Sequence, residues 1–170
     1  MEFTTVIKER FSCKKFNGKQ ITQEQLQEIL EAGQAAPTAK NLQEWHIYVA
    51  QKKESLAIID EHTPCRYNAP TVLVVAYNKE NVFSYPGGKA SSGAEDASIV
   101  ATHLMLAAYN AKVDSCWLNN FDPEKLAEAL KLPENEEILM LLDLGYAGDE
   151  GKPLSNHFSR KSLSETVSYI

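Results

Sequence analysis

Arg10, Ser12 and Lys14 alternate within the stretch RFSCKKF and can together bind a phosphorylated ligand. A short amphipathic helix is predicted over residues 3–10. If residues 10–16 continue from it in an extended conformation, the three side chains project to one side of the backbone. The arginine fork suits a phosphate, the serine suits a sugar-like hydroxyl, and the lysine suits the polar edge of a ring. The alternation therefore predicts a graded row of hydrogen-bond donors.

A second basic cluster lies in the C-terminal tail, where FSRK supplies Arg160 and Lys161. The chain as a whole is acidic, with a formal net charge of -6, so two local clusters of positive charge stand out. The two clusters together suit one terminal phosphate, because arginine forms paired, charge-assisted hydrogen bonds with phosphate. The alternative is that both are ordinary solvated charges, which contribute little.

The stretch APTAKNLQEWH has the composition of a loop that lies against a flat polar ligand. It leaves a predicted helix through Pro37, because proline disfavours helical geometry in the residue before it. The small residues Thr38 and Ala39 allow the backbone to approach a ring closely. Asn41 can donate and accept hydrogen bonds, and Trp45 anchors the return of the chain into an apolar run.

Other motifs do not support a site of their own. The stretch YPGGKASSG, residues 85–93, resembles a P-loop but has Phe83 in place of the required glycine and Ala90 in place of Ser or Thr. It is predicted as a mobile Gly/Ser loop and a candidate lid. No metal site is predicted, because the histidines are scattered without metal-ligand spacing: His46, His62, His103 and His157.

Hydrophobic periodicity predicts helices and strands that alternate irregularly along a single domain of residues 1–170. Strands are predicted over 46–50, 71–77 and 137–146, and residues 115–118 are predicted as a short strand or an extended loop. Helices are predicted over 3–10, from the Thr22–Gln25 capping box to Pro37, over 53–61 and 94–112, and after Asp122–Pro123. The helix over 94–112 is apolar nearly all round, which predicts a buried central helix. These elements indicate α/β or α+β layers with helices packed on a small sheet.

The tail after Ala147 is polar but ends in the strand-like sequence TVSYI, residues 166–170. A tail of this length is usually disordered unless it docks. We therefore expect it to pair with something beyond its own domain, such as a second subunit.

Composition and charge exclude several function classes. A pI of about 5.3 argues against a general nucleic-acid or membrane-surface binder. No apolar run approaches the roughly 18–20 residues that span a bilayer, and MEFTTVIKER does not look like a signal peptide. The three cysteines show no CxxC spacing, so we expect reduced thiols in a cytoplasmic protein, with a catalytic thiol as the alternative: Cys13, Cys65 and Cys116.

Four motifs in order resemble the flavin-dependent nitroreductase family: RFSCKKF, a helix ending in AAPTAKNLQEWH, VDSCWLNNFD, and a late GY followed by SRK. The resemblance covers nearly the whole chain. Each motif alone is weak, the four together are fairly specific, and the opening R-x-S-x-K is the sharpest.

The resemblance implies an α+β fold, a three-layer sandwich in which helices flank a small, mostly antiparallel sheet. It also implies a homodimer that exchanges C-terminal segments, with FMN at the dimer interface. The implied activity is ping-pong transfer of hydride from NAD(P)H through flavin N5 to a nitroaromatic, a quinone or a related small-molecule acceptor. The flavin carries the chemistry in such proteins, so no catalytic side chain is predicted.

By position, the resemblance assigns cofactor contacts residue by residue. Arg10, Phe11 and Ser12 correspond to contacts with the phosphate and ribityl chain, and Lys14 to the contact with the pyrimidine edge of the ring. The loop along the flavin corresponds to Pro37, Thr38, Ala39 and Asn41. The segment facing N5 corresponds to Trp117, Leu118, Asn119 and Asn120, and the phosphate clamp of the tail to Arg160 and Lys161.

The chain departs from the family pattern at two places that concern the substrate. Glu44 stands where proline is common and adds a negative charge near the site, and Asn119 and Asn120 stand where glycines are common. Three alternatives stay open: a flavin dehydrogenase or reductive dehalogenase on the same fold, a flavin-storing or sensing protein without turnover, and a dimeric interaction domain without flavin.

Overall fold

As far as β4, helices and strands follow one another in the order that the hydrophobic pattern predicts. The computed structural model describes residues 1–88 and 91–170. The helices are α1 (Phe3–Glu9), α2 (Gln23–Gln34), α3 (Lys53–His62), α4 (Gly93–Asn110), α5 (Pro123–Leu130) and α6 (Leu163–Thr166). The strands are β1 (Trp45–Ala50), β2 (Thr71–Asn78), β3 (Asp114–Leu118) and β4 (Glu136–Gly145).

Local capping signals fix the start of two helices. The Thr22 hydroxyl accepts from the Gln25 N–H at 3.2 Å, and the Gln25 side chain accepts from the Thr22 N–H at 3.1 Å. The Asp122 carboxylate accepts from the Lys125 N–H at 3.2 Å, with Pro123 as the first residue of α5. Both caps are confirmed, because they depend on residues only three positions apart.

The four strands form one antiparallel sheet in the order β1-β2-β4-β3. The two central strands, β2 and β4, are the most apolar runs and are buried on both faces. This confirms the small antiparallel sheet of the predicted α+β fold.

Each face of the sheet has its own hydrophobic core. One core lies under α2 and α4, and the other lies under α3 and α5. The first is tightly packed: a Cβ atom added to Gly33 of α2 would lie 2.6 Å from Leu104 Cδ2 of α4. Helices on both faces of one sheet make the predicted three-layer sandwich.

The central helix α4 is less buried than its composition predicts. Leu104 and Ala108 are fully buried against α2 and the sheet, but Ile99, Met105 and Leu106 are only partly covered. Beside Leu106, a groove of 340 Å³ opens between α4 and α1, lined by Met1, Phe3, Val6, Ala32, His103, Leu106, Ala107 and Asn110. The prediction of full burial is wrong for a single chain, because one chain covers only one side of this helix.

The strand predicted at the C-terminus is also absent from the described single chain. Thr166 closes α6, and residues 167–170 are exposed without regular structure. A strand needs a neighbouring edge to pair with, and no strand of the described sheet pairs with this segment.

The structure describes only part of the stretch that resembles a P-loop, residues 85–93. Ser84 and Ser91 pair in an antiparallel bridge, and Gly87 and Gly88 adopt φ of 92° and 65°. The prediction of a mobile Gly/Ser lid falls partly on residues 89 and 90, which lie outside the described residues. Among those described, no helix combines the length and apolarity needed to cross a membrane.

Candidate flavin site

The segment that follows α1 runs extended along β3, as its alternation predicts. Ser12 pairs with Ser115 in a parallel bridge, and the Cys13 N–H donates to the Ser115 carbonyl oxygen at 2.9 Å. Successive side chains of an extended segment point to opposite sides. Cys13 is therefore buried, whereas Arg10 and Ser12 are partly exposed and Lys14 is exposed.

Two guanidinium groups converge at the start of this segment. The Nε atom of Arg10 is buried and has no hydrogen-bond partner within the described part of the chain. Burial lowers the pKa of Arg10, and the positive charge of Arg160 lowers it further. A buried donor without an acceptor is costly, and a second cation beside it adds repulsion. An anion between the two arginines would relieve both effects.

The tail brings Arg160 to this point together with an aromatic pair. The Arg160 guanidinium donates to the carbonyl oxygens of His157 and Ser159, the latter at 2.7 Å. The His157 ring meets the Phe11 ring edge-on, with 6.4 Å between the ring centroids. Its Nε2 atom is buried and also lacks a partner among the described residues. His157 was not predicted as a site residue; its signal is the dipeptide HF directly before SRK. Lys161 is exposed.

Lys14 lies near a thiol that belongs to a different loop. Hydrogen bonds from the Tyr67 hydroxyl and the Asn120 amide lower the pKa of Cys65, and the positive charge of Lys14 adds to this effect. The Asn120 Nδ2 atom lies 3.4 Å from the Cys65 sulfur. The loop after α3 and the end of β3 therefore meet at one sulfur atom, and the charge of Lys14 from the segment after α1 acts on it.

The predicted residues at the end of β3 are held mainly by their own side chains. Trp117 packs against the core under α4, and its Nε1 atom donates to the Asn119 Oδ1 atom at 2.5 Å. The Asn119 Nδ2 atom donates to the Leu139 carbonyl oxygen at 2.8 Å. Leu118 is buried in the core under α5. These contacts leave the backbone of this turn, rather than its side chains, for a ligand.

The loop of residues 37–41 is tied to α4 and has a strained backbone. The Ala39 N–H donates to the Asp96 Oδ1 atom at 2.9 Å, and the Gln43 N–H donates to the Thr38 hydroxyl at 3.1 Å. Three residues have φ of 51°, 54° and 57°: Lys40, Asn41 and Gln43. This left-handed conformation costs a non-glycine residue roughly 1–2 kcal/mol, and such strain clusters at functional sites.

Within one chain, the loop and the arginines lie at opposite ends of α4. Asp96, which holds the loop, is in the first turn of α4, and Asn110 is its last residue. The helix rises about 21 Å between them, at about 1.5 Å per residue. Ser115, which pairs with Ser12 beside Arg10, follows closely after that last residue. The predicted site residues therefore form two separate groups, and one chain does not bring them together.

Comparison with known proteins agrees with the fold and the motifs. The chain matches the profile of the Nitroreductase family over residues 7–66 and 64–146. A candidate NADH dehydrogenase/NAD(P)H nitroreductase of Archaeoglobus fulgidus is 29% identical over 157 residues, which cover 88% of this chain and 87% of that protein.

Two solved structures extend the likeness over almost every described element. A nitroreductase family protein from Clostridium difficile 630 superposes with a TM-score of 0.92 at 31% identity, covering 99% of this chain and 98% of that one. An FMN-dependent nitroreductase from Clostridium difficile R20291 has a TM-score of 0.78 at 27% identity, covering 98% of each chain. With the family profile matched over most of its length, this chain belongs to the nitroreductase family.

Proposed function

We propose that this protein is an FMN-dependent NAD(P)H oxidoreductase that reduces a nitroaromatic, a quinone or a related electrophile in two half-reactions. The observation that carries the proposal is the unpartnered, buried Nε atom of Arg10 beside the second cation, Arg160. When bound, FMN would accept a hydride from NAD(P)H and pass the electrons to the acceptor. The FMN-dependent nitroreductase with the same fold supports this choice of cofactor.

The residues present fit the chemical parts of FMN. Arg10 and Arg160 suit its single terminal phosphate, since paired cations match a dianionic group. Ser12 suits the ribityl hydroxyls, and the ammonium of Lys14 suits the pyrimidine edge of the ring. The turn after β3 offers backbone groups to the ring. The protein would thereby hold the cofactor, orient it and supply positive charge where negative charge develops.

NAD(P)H oxidation tests the proposed activity. The FMN-loaded protein should oxidise NADH or NADPH when a quinone or a nitroaromatic compound is supplied as acceptor. A protein that holds FMN firmly but oxidises neither nucleotide would contradict the enzyme and would support flavin storage or sensing.

We propose that two chains form a homodimer in which each flavin site uses residues of both. This arrangement explains why the strained loop at residues 37–41 lies at the far end of α4 from the arginines. The half-covered side of α4 and the groove beside α1 give such a dimer an apolar surface. The tail offers more, because Leu163 is 78% exposed and Tyr169 is 98% exposed. Isolated chains rarely leave such side chains unpacked.

Deletion of residues 163–170 is expected to weaken both dimerisation and FMN retention. The deleted segment carries the exposed apolar side chains of the tail and directly follows Arg160. Light scattering reports the dimer, and flavin absorbance after gel filtration reports retention. A matched control removes an exposed charge from an earlier part of the tail by Lys152→Gln and should leave the dimer intact. An unchanged mass with unchanged flavin content in the truncated protein would contradict the role of the tail.

A site built from two chains also predicts that two defective subunits rescue each other. Arg10→Ala removes a phosphate donor, and Ala39→Phe blocks the approach of a flat ring to the loop. In a heterodimer of the two variants, one site carries both defects and the other carries neither. We expect each homodimer to bind FMN poorly and the heterodimer to bind one FMN with the affinity of the wild type. Heterodimers can be isolated with two different affinity tags and titrated with FMN.

The same experiment has an opposite outcome if each site lies within one chain. Every site of the heterodimer would then carry one defect, and no site of wild-type affinity would appear.

A further inference from the structure

Cys65 is surrounded by groups that donate hydrogen bonds or carry positive charge. The Asn120 Nδ2 atom lies 3.4 Å from its sulfur. The Tyr67 hydroxyl and the ammonium of Lys14 also act to lower the pKa of this thiol. The thiol is half-buried at the margin of the core under α3 and α5. Donors and positive charge favour a thiolate, which is the nucleophilic form of cysteine.

The other two cysteines have the opposite environment. Cys13 and Cys116 are buried together in a small apolar cluster. Burial raises the pKa of Cys13, and burial together with the negative charge of Asp143 raises the pKa of Cys116 to about 12. Buried thiols of this kind are inert. Of the three thiols, only Cys65 combines access with activation.

A second, independent feature lies beneath this thiol. Asp143 is fully buried on β4. Its side chain projects from the same face of the sheet as that of Leu141, and Cys65 packs against the core on that face. Neither of its carboxyl oxygens has a hydrogen-bond partner in the described residues. The nearby Arg66 is already bound to both carboxylate oxygens of Asp60, at 2.7 and 2.6 Å. A buried polar group without a partner is unusual, and this carboxyl lies close enough to the Cys65 thiol for the thiol to contribute to its raised pKa.

We propose that Cys65 is a nucleophilic thiol in the wall of the flavin site and that it reacts with soft electrophiles such as α,β-unsaturated carbonyl compounds. Flavin binding and modification of Cys65 then exclude one another. The exclusion rests on the proposed function, because it requires that Lys14 and Asn120 contact the flavin. Asn120 contacts the Cys65 sulfur in the chain without flavin, and the charge of Lys14 is close enough to help lower the pKa of this thiol. An adduct on its sulfur would occupy the space in front of both.

The modification is a conjugate addition that needs no outside oxidant or reductant. The Cys65 thiol first loses its proton to water. Its sulfur then attacks the β-carbon of the electrophile, so that a carbon–sulfur bond forms and the carbon–carbon π bond breaks. The electron pair moves towards the carbonyl oxygen, and the α-carbon takes a proton to complete the thioether.

The test labels the full-length protein with N-ethylmaleimide, a small α,β-unsaturated imide, and measures each cysteine by peptide mass mapping. Cys13 and Cys116 serve as internal controls in the same molecule. Cys65 should react at least about tenfold faster than either, which corresponds to one unit of pKa. Lys14→Gln should slow labelling of Cys65, because it removes the nearby charge. The matched variant Lys19→Gln, at an exposed lysine further along the chain, should not.

Ligand protection then tests the exclusion. Saturating FMN and saturating riboflavin should both slow labelling of Cys65 about tenfold, whereas inorganic phosphate should not, because phosphate would occupy only the arginines. Prior labelling should abolish FMN binding in the wild type and weaken it by less than about twofold in Cys65→Ser.

Equal labelling of the three cysteines would overturn the reactive thiol. Undiminished labelling of Cys65 while FMN is bound, as followed by flavin fluorescence, would overturn the exclusion. A protein that binds no flavin at all would overturn the proposed function and the exclusion together. Fast labelling of Cys65 that depends on Lys14 would still support the reactive thiol in that case.

Discussion

Asp143→Asn is expected to remove a large pH dependence from the stability of this protein. Burial raises the pKa of Asp143 to about 9, and the positive charge of Arg66 only partly opposes this. An aspartic acid in the unfolded chain has a pKa of about 3.9. Between these values the folded protein keeps a proton that the unfolded chain releases. The free energy of unfolding should therefore fall as pH rises, by at most about 1.4 kcal/mol per pH unit.

The sign and size of this effect can be measured by urea unfolding between pH 5 and 8 at a fixed protein concentration. Over this range the stability of the wild type should fall relative to Asp143→Asn by up to about 4 kcal/mol, because the amide cannot ionise. Asp149→Asn, at an exposed acid in the tail, is the matched control and should follow the wild type. Parallel pH profiles for Asp143→Asn and the wild type would show that Asp143 is ionised in the fold and has a partner there.

Arg10→Ala and Arg160→Ala are each expected to weaken FMN binding by about tenfold to a hundredfold. A charge-assisted hydrogen bond contributes about 1.5–3 kcal/mol, and each 1.4 kcal/mol changes the affinity about tenfold. Riboflavin lacks the phosphate, so its affinity should change little. Titration of both ligands at one salt concentration separates a phosphate contact from a general effect on the site.

Two controls sharpen this comparison. Lys152→Ala removes an exposed positive charge from the same tail and should leave both affinities unchanged. Arg10→Ala should not destabilise the flavin-free fold, because it removes a buried donor that has no partner in the described residues. Equal losses for FMN and riboflavin would mean that the arginines support the fold and do not bind the phosphate.

Elements that depend on local chemistry were predicted well from the sequence. The cap between Thr22 and Gln25, the Asp122–Pro123 start of α5 and the apolar runs of β2 and β4 all follow from neighbouring residues. The strand order β1-β2-β4-β3 was not predictable in this way, since it depends on pairing between distant segments. The exposure of one side of α4 was missed for a related reason: composition does not show which chain covers a helix.

The residues of the candidate site also differ in whether a local sequence pattern predicts them. The alternation of Arg10, Ser12 and Lys14 predicts their common side, because it needs only an extended backbone. The roles of His157 and Cys65 depend on tertiary contacts with Phe11 and Asn120, which no local pattern shows.

The sequence itself marks Asp143 as unusual. An acid stands within the apolar run EILMLLDLG, where a buried strand should carry none without a reason. Such a residue marks either a partner elsewhere in the fold or a group that stays protonated, and only the structure distinguishes the two.

The central claim is that the two basic clusters, around Arg10 and Arg160, and the loop at residues 37–41 hold FMN. The most direct measurement is the absorbance spectrum of the purified protein after incubation with excess FMN and removal of free ligand, followed by identification of the flavin released on denaturation. We predict a yellow protein with the absorbance bands of an oxidised flavin. On denaturation it should release FMN and not FAD, at about one FMN per chain, because the dimer would have two phosphate sites. A protein that stays colourless would contradict the claim.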